Sequence, residues 1–413
     1  MVFTDGMTIW ILALLLLAAG AGMGLRQGAI RAAISFAGII IAALLAWPLS
    51  GLVRPLLPHL GVHNHIVVWL LPPFIVFVIL LSVFKSVGML AHHKAEVYYK
   101  YKATDVQLIV WLRLIKRLGL GFGLLNGLVY LVLISTVIYV FSYWTVQVAP
   151  SVNERILVRL LNRMGRDLDA AGLAKAARAI NPMPADYFKG AELAGLIYQN
   201  PQLKDRLAGY PPFLSLAERD DFKQLGQDTG FQEAWKSQSP IGQLLDNKLA
   251  AAIWRDADKA DALWNLTLSN YDDLTNYLQT GRSAKYDSVK ILGRWDFDLN
   301  ASLMALEQSQ HNLTSNDMLA LRAIWPTAYA QTTFVASADG QVLLKRLPNF
   351  TAHQNQAGTT ETATWEGKWS SNGDDYTLSL NSNGATKSAT ATVVGSRLTI
   401  KTGSETLVFD REN

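Results

Sequence analysis

Hydrophobic positions in the first 145 residues do not recur at strand or helix spacing; they run together in four long blocks. Met7 to Met23 holds no charged residue, which meets the ~20 residues needed to cross a hydrocarbon core. The second block, Ala32–Leu49, ends at Trp47-Pro48, an aromatic anchor followed by a helix stop. The third, Ile66–Val83, contains Pro72-Pro73, which neighbouring helices accommodate as a kink rather than a break. The fourth, Leu118–Tyr143, finishes among Tyr139, Phe141, Tyr143 and Trp144, the composition of an interfacial belt. These blocks predict an α-helical membrane bundle of four spans over residues 1–148. Only Asp5 is charged ahead of the first block, without the basic start of a cleaved leader, so that block is expected to persist as a helix.

From residue 149 the pattern predicts a soluble α+β region. Residues 149–289 carry short apolar segments separated by Asn181-Pro182, Asn200-Pro201, Tyr210-Pro211-Pro212 and Ser239-Pro240, which predicts one helical domain of mutually dependent short helices. From 290 the texture becomes β. Lys290–Asp298 alternates, a helical interlude covers about 300–325, and strands at 329–336 and 342–345 flank a turn at Ser337–Gly340, giving an α/β module over 290–348. Residues 349–364 read as a linker. Residues 365–413 read as a small antiparallel β module, with turns at Asp374-Asp375, Asn383-Gly384, Gly395-Ser396 and Gly403-Ser404. Gly293-Arg294-Trp295 and Gly367-Lys368-Trp369 share a pattern that resembles the first strand of lipocalin-like sheets, where the tryptophan plugs one end of a barrel. The resemblance implies that Trp295 and Trp369 are core residues of their modules, and leaves open whether the modules form one sheet or two.

The formal net charge of +4 conceals a split. Residues 1–150 contain ten Lys/Arg and three acids, net +7; the remaining 27 basic and 30 acidic residues give net −3. The basic excess sits in two hairpin loops, at Arg26 and Arg31 and at Lys85, Lys94, Lys100, Lys102, Arg113, Lys116 and Arg117, whereas the loop between the second and third spans has only Arg54. Because cytoplasmic loops retain Lys and Arg, both hairpins are expected inside, with the N-terminus and the C-terminal domain periplasmic in a bacterial inner membrane. Leu108–Arg117 is basic and amphipathic and is expected to lie in the inner interface ahead of the fourth span. His92-His93-Lys94 with Tyr98, Tyr99 and Tyr101 reads as part of the same headgroup-level belt. Charge so placed gives no nucleic-acid footprint.

Glycine recurs every fourth residue at Gly20, Gly24 and Gly28 and again at Gly119, Gly123 and Gly127. Such ladders let another helix approach closely, either within the bundle or in a homo-oligomer or partner complex. The stretch Gly24-Leu-Arg26-Gln-Gly28-Ala-Ile-Arg31 before an Ala/Ile-rich span resembles the N-terminal motif of the colicin V production protein family. The approach to the fourth span, Lys116-Arg117-Leu-Gly119, resembles that family's Asp-Arg-x-x-Gly pattern, with Lys116 in place of the aspartate. The resemblance covers roughly residues 5–145. It implies an inner-membrane protein linked to toxin export or envelope maintenance, some of whose relatives carry a soluble domain such as a trypsin-like protease.

Catalytic signatures are missing from the sequence. There is no Gly-x-Ser-x-Gly elbow, phosphate-binding lysine loop or dinucleotide fingerprint, and the soluble part has only His311 and His353. The chain has no cysteine, which excludes disulfides and cysteine-held metals. His59, His63 and His65 share one loop without a nearby carboxylate and read as solvated rather than as metal ligands. The spans hold almost no ionisable group, Asn126 being the main mid-span polar residue. The expectation is a non-enzymatic membrane anchor, assembly or export-associated factor with a periplasmic binding domain, no cofactor, and as partners the bilayer and either a second copy or an envelope or secretion protein. The alternative is a pore or transport component built from an oligomer of the bundle, with glycine faces or Asn126 lining it; a membrane-anchored hydrolase ranks third.

Overall fold

A computed structural model describes residues 7–412 except 63–64, 151–153, 182, 310–313, 349–361, 374, 383 and 404. The chain divides into two compact units, Met1–Gln199 with Ala234–Trp264, and Asn200–Glu233 with Asn265–Asn413. The helical region 149–289, expected as one domain, is therefore shared between them.

In the first unit four helices are long and apolar enough to cross a membrane: α1 (Met7–Gln27), α2 (Ala29–Ser50), α3 (His65–Tyr101) and α4 (Asp105–Val148). Pro72 and Pro73 lie inside an unbroken α3. The basic segment Leu108–Arg117, expected as a separate interfacial piece, is the beginning of α4. Nothing between Asp105 and Arg117 breaks a helix, and Thr104 and Gln107 form a capping box that starts it there. The Thr104 amide donates to Gln107 Oε1 at 3.2 Å. Packing joins α1 to α4, α4 to α2 and α2 to α3, so the helices form a row in that order.

The α1–α4 contact is made by backbone. A Cβ placed on Gly20 would lie 2.4 Å from the Gly123 carbonyl oxygen, and one on Gly24 would lie 2.1 Å from that of Gly119. From the other side, a Cβ on Gly123 would meet the Gly20 oxygen at 2.3 Å, and one on Gly127 the Leu16 oxygen at 2.8 Å. The two ladders interlock with each other. Gly28 departs from the pattern: at φ 82° it forms the turn between α1 and α2, and faces His92 and Ile115. Buried Asn126 donates from Nδ2 to the Ala32 carbonyl at 3.1 Å, which ties α4 to α2.

At the other end of α4 the chain doubles back through α5 (Ile156–Ala170), α6 (Leu173–Ile180) and α7 (Ala185–Gln199). Asp167 of α5, buried, accepts from the Thr8 amide at 3.1 Å and also from its hydroxyl, which satisfies a donor left free at the start of α1. Tyr139, Tyr143 and Trp144, half-buried, pack on protein. Trp144 lies 5.8 Å from Tyr187, and Phe188 lies 4.8 Å from Tyr143 and 6.1 Å from Tyr139. Tyr187 donates its hydroxyl to the Val140 carbonyl at 2.8 Å. Phe141 remains exposed.

The second unit is a closed antiparallel barrel of eight strands in sequence order. They are β1 (Gly293–Phe297), β2 (Thr333–Ala336), β3 (Gln341–Pro348), β4 (Thr362–Asn372), β5 (Asp375–Ser382), β6 (Ala385–Val394), β7 (Arg397–Thr402) and β8 (Glu405–Arg411). The last strand closes on the first, Trp295 opposite Arg411 and Phe297 opposite Phe409. Both Gly-x-Trp strands thus belong to one sheet. The expected linker 349–364 lies mostly outside the described residues, and its last three, 362–364, belong to β4. The expected strand at 329–336 begins only at Thr333.

The interlocked ladders predict a contrast between two positions on one helix. Gly123→Leu forces α1 and α4 apart and is expected to cost ~1–3 kcal/mol or more, as overpacking does. Gly121, with no neighbouring atom within 4 Å, should tolerate the same change. Thermal unfolding of the full chain in detergent measures both.

Candidate functional site

The barrel interior is a candidate site within the described residues. Strand alternation turns one side chain in two inward. Trp295, Phe334, Leu378, Ala391, Leu398 and Phe409 are fully buried in one apolar cluster. An eight-stranded barrel is just wide enough for such side chains or for one small ligand.

One end is sealed by Trp295 and Arg411. The indole donates to the Ile291 carbonyl at 2.9 Å, and the guanidinium lies 4.3 Å from the ring centroid. Arg411 also donates to the carbonyls of Leu292 (2.9 Å) and Lys290 (2.6 Å), so it binds the incoming chain to the barrel floor. The opposite end carries two helices inserted between β1 and β2, here the lid helices Leu299–Ser309 and Ser315–Ala328. Buried Ser302 of the first lid helix accepts from the Val408 amide at 2.8 Å, which fastens that helix to β8. Trp325 of the second is buried, and Tyr329 just after it stacks on Phe297 at 4.5 Å.

Trp369, expected in the core of its own module, is half-buried and packs against the barrel core. Its indole donates to the Ser337 carbonyl at 2.9 Å and pins the β2–β3 turn to β4. Trp365, two turns of the pleat earlier and facing the same way, is the buried tryptophan of that strand. A Cβ at Gly367 would lie 1.9 Å from the Ser379 oxygen, so the glycine of the Gly-Lys-Trp pattern is required where β4 crosses β5 closely.

Two polar clusters join segments of the second unit, and the first of them reaches the barrel strands. Glu218, its side chain 5% exposed, meets Arg294 of β1 and Lys223 at 2.9 Å each, and also contacts Lys345 of β3. Burial and neighbouring Arg346 push the Lys345 ammonium down to about 8. The adjoining Glu218 carboxylate acts in the opposite sense, and we assign the charged form on that contact. Asp273 accepts from the hydroxyls of Tyr210 and Ser283 at 2.7 Å each and from the Lys285 amide at 3.2 Å. Burial pushes its carboxyl up, but the Ser283, Tyr210 and backbone donors outweigh this and hold it below the usual carboxylate range.

Of the sequence-predicted sites, the two tryptophans reach one barrel and the two glycine ladders one helix contact. Arg26, Lys94, Lys100, Lys102, Arg113, Lys116 and Arg117 are exposed, and Arg31 is half-buried. Among the described residues no group of three or more His, Asp or Glu could hold a metal. His59 is held locally, its ring 3.0 Å from the Pro55 carbonyl, while His63, His311 and His353 lie outside the described residues. Arg411, Glu218 and Ser302 were not legible: their partners come from distant strands, as with Arg411 and Leu292, 119 residues apart. No family model matches the chain, and no curated protein or solved structure is similar to it.

Glu218→Gln removes the shared partner of three cations and is expected to destabilise the barrel by about 3 kcal/mol, read as a lowered midpoint in urea unfolding. Asp273, with a lowered folded-state pKa, stabilises the fold above its unfolded value near 3.9 and ceases to do so as pH falls through the folded value. The stability gap between wild type and Asp273→Asn should therefore be full at pH 7 and close below about pH 4, in thermal melts across that range.

Proposed function

We propose that this chain is a non-enzymatic bacterial inner-membrane protein in which the four-helix domain anchors a periplasmic binding domain. The colicin V production family remains our assignment for the membrane domain, on the α1–turn–α2 motif with Gly28 at the turn and the glycine approach to α4. That family's place in export or envelope assembly is the role we assign.

The observation that carries the anchor reading is the α1–α4 contact. Gly20, Gly24, Gly119, Gly123 and Gly127 are spent on backbone contact within the chain, and Asn126 is bonded to Ala32. Those were the groups on which a pore lining or intersubunit face would have drawn. The binding role falls to the barrel, which we read as lipocalin-like on its tryptophan plug, the Arg411 clamp and the helices over the other end. Entry of a ligand would require those lid helices to move.

Two measurements test this together. Proteoliposomes of the full chain should pass ions and small solutes no faster than empty vesicles; a protein-dependent flux would restore the pore reading. Because the native chain has no cysteine, single cysteines at Gly384 and Lys100 report topology through a membrane-impermeant maleimide. Labelling at 384 and protection at 100 in intact spheroplasts is the expected outcome, and the reverse would overturn the orientation.

A further inference from the structure

We infer that the hairpin made by the second half of α3 and the first part of α4, residues 85–117, is a preformed binding surface for anionic phospholipid headgroups. It rests on the reading that α3 and α4 cross a bilayer.

Length is the first argument. The 37 residues of α3 and 44 of α4 span about 55 and 66 Å at about 1.5 Å per residue. A hydrocarbon core takes up only about 30 Å, so both helices continue well past it on the side where they are joined. What they carry there is unlike a water-facing hairpin. Lys85, Lys94, Lys100, Lys102, Arg113, Lys116 and Arg117 are all exposed, against two carboxylates, Glu96 and Asp105. None of the seven cations forms an ion pair among the described residues.

Between these charges stand exposed apolar residues, including Leu90 (62%), Ile109 (52%), Val110 (57%) and Leu114 (53%). On α4, helical spacing sets Ile109 among Arg113, Lys116 and Arg117, with Val110 and Leu114 on the strip beside them. Apolar and basic groups so interleaved suit a headgroup layer, where aliphatic stems reach the acyl boundary and cationic heads meet phosphate. An acidic soluble partner would match the charge but not the apolar positions between.

Ring contacts join the two helices of this surface. Trp111 of α4 is held between two rings of α3, stacked at 4.9 Å on Tyr99 and 6.4 Å on His92. One turn further along α4, Ile115 is buried and, with His92, faces the Gly28 turn. The two arms of the hairpin thus meet each other and the α1–α2 connection, which lowers the ordering cost of engaging a bilayer surface.

The test uses the full chain with single bimane-labelled cysteines at Val78, within the α3 span, and at Ile109, in vesicles whose lipids carry bromine on the acyl chains. Quenching at both sites is expected. Quenching at 109 should fall at least about twofold when phosphatidylglycerol is replaced by phosphatidylcholine, and likewise in R113Q/K116Q/R117Q, while 78 stays unchanged. If 78 is quenched but 109 responds only to aqueous iodide, the hairpin stands in water and the inference is overturned, with a soluble partner as the surviving occupant. Equal quenching at 109 in both lipids, unaffected by the charge changes, also overturns it, because contact without selectivity needs no anionic site. Absence of quenching at 78 would instead sink the membrane-spanning reading itself.

Discussion

Everything in the first unit depends on two helices touching through their main chains. Lipid supplies no hydrophobic drive for helix association, so α1 and α4 must be held by van der Waals contact over a surface without side chains. The glycine ladders make that surface, and the contact places α4 where it can serve as the spine. On one flank it takes α2 through Asn126, and beyond its apolar stretch it takes α5, α6 and α7 through Gly165, Tyr187 and the aromatic residues of its last turns. The start of α1, brought alongside, is satisfied by a carboxylate of α5 rather than by a residue of its own.

The barrel solves a different problem by closure. Eight short strands leave no free edge once β8 pairs with β1, and the seam is reinforced by groups outside the ladder. Ser302 bonds β8 from a lid helix, and Arg411 reaches across the floor to the chain that enters β1. Glu218 and Asp273 each gather donors from several segments, so their carboxylates work as junctions between them.

The four long apolar helices were legible because their signal is local: length without charge, and glycine spacing. The longer reach of α4 was also written in the sequence, as a Thr-x-x-Gln capping box ahead of an unbroken helical run. The β turns were readable from Gly340, Gly384, Gly395 and Gly403, each at positive φ. What could not be read was association at a distance. Gly-Arg-Trp and Gly-Lys-Trp look alike, yet Trp295 is fully buried beneath Arg411 and Trp369 is half-buried against the β2–β3 turn. The division of the helical region between two units was hidden for the same reason.

The pairing of β1 with β8 also sets an order of events. Membrane helices can associate as soon as the fourth has been made, since α1 and α4 complete each other within the first third of the chain. The barrel cannot, because Trp295 lacks its covering arginine until Arg411 has been synthesised. Through that interval the apolar faces of seven strands have no closed interior to enter, and non-local pairings of this kind form slowly. A chain with its barrel still open is the species most exposed to aggregation and proteolysis. Its lifetime is fixed by how quickly the final strand arrives.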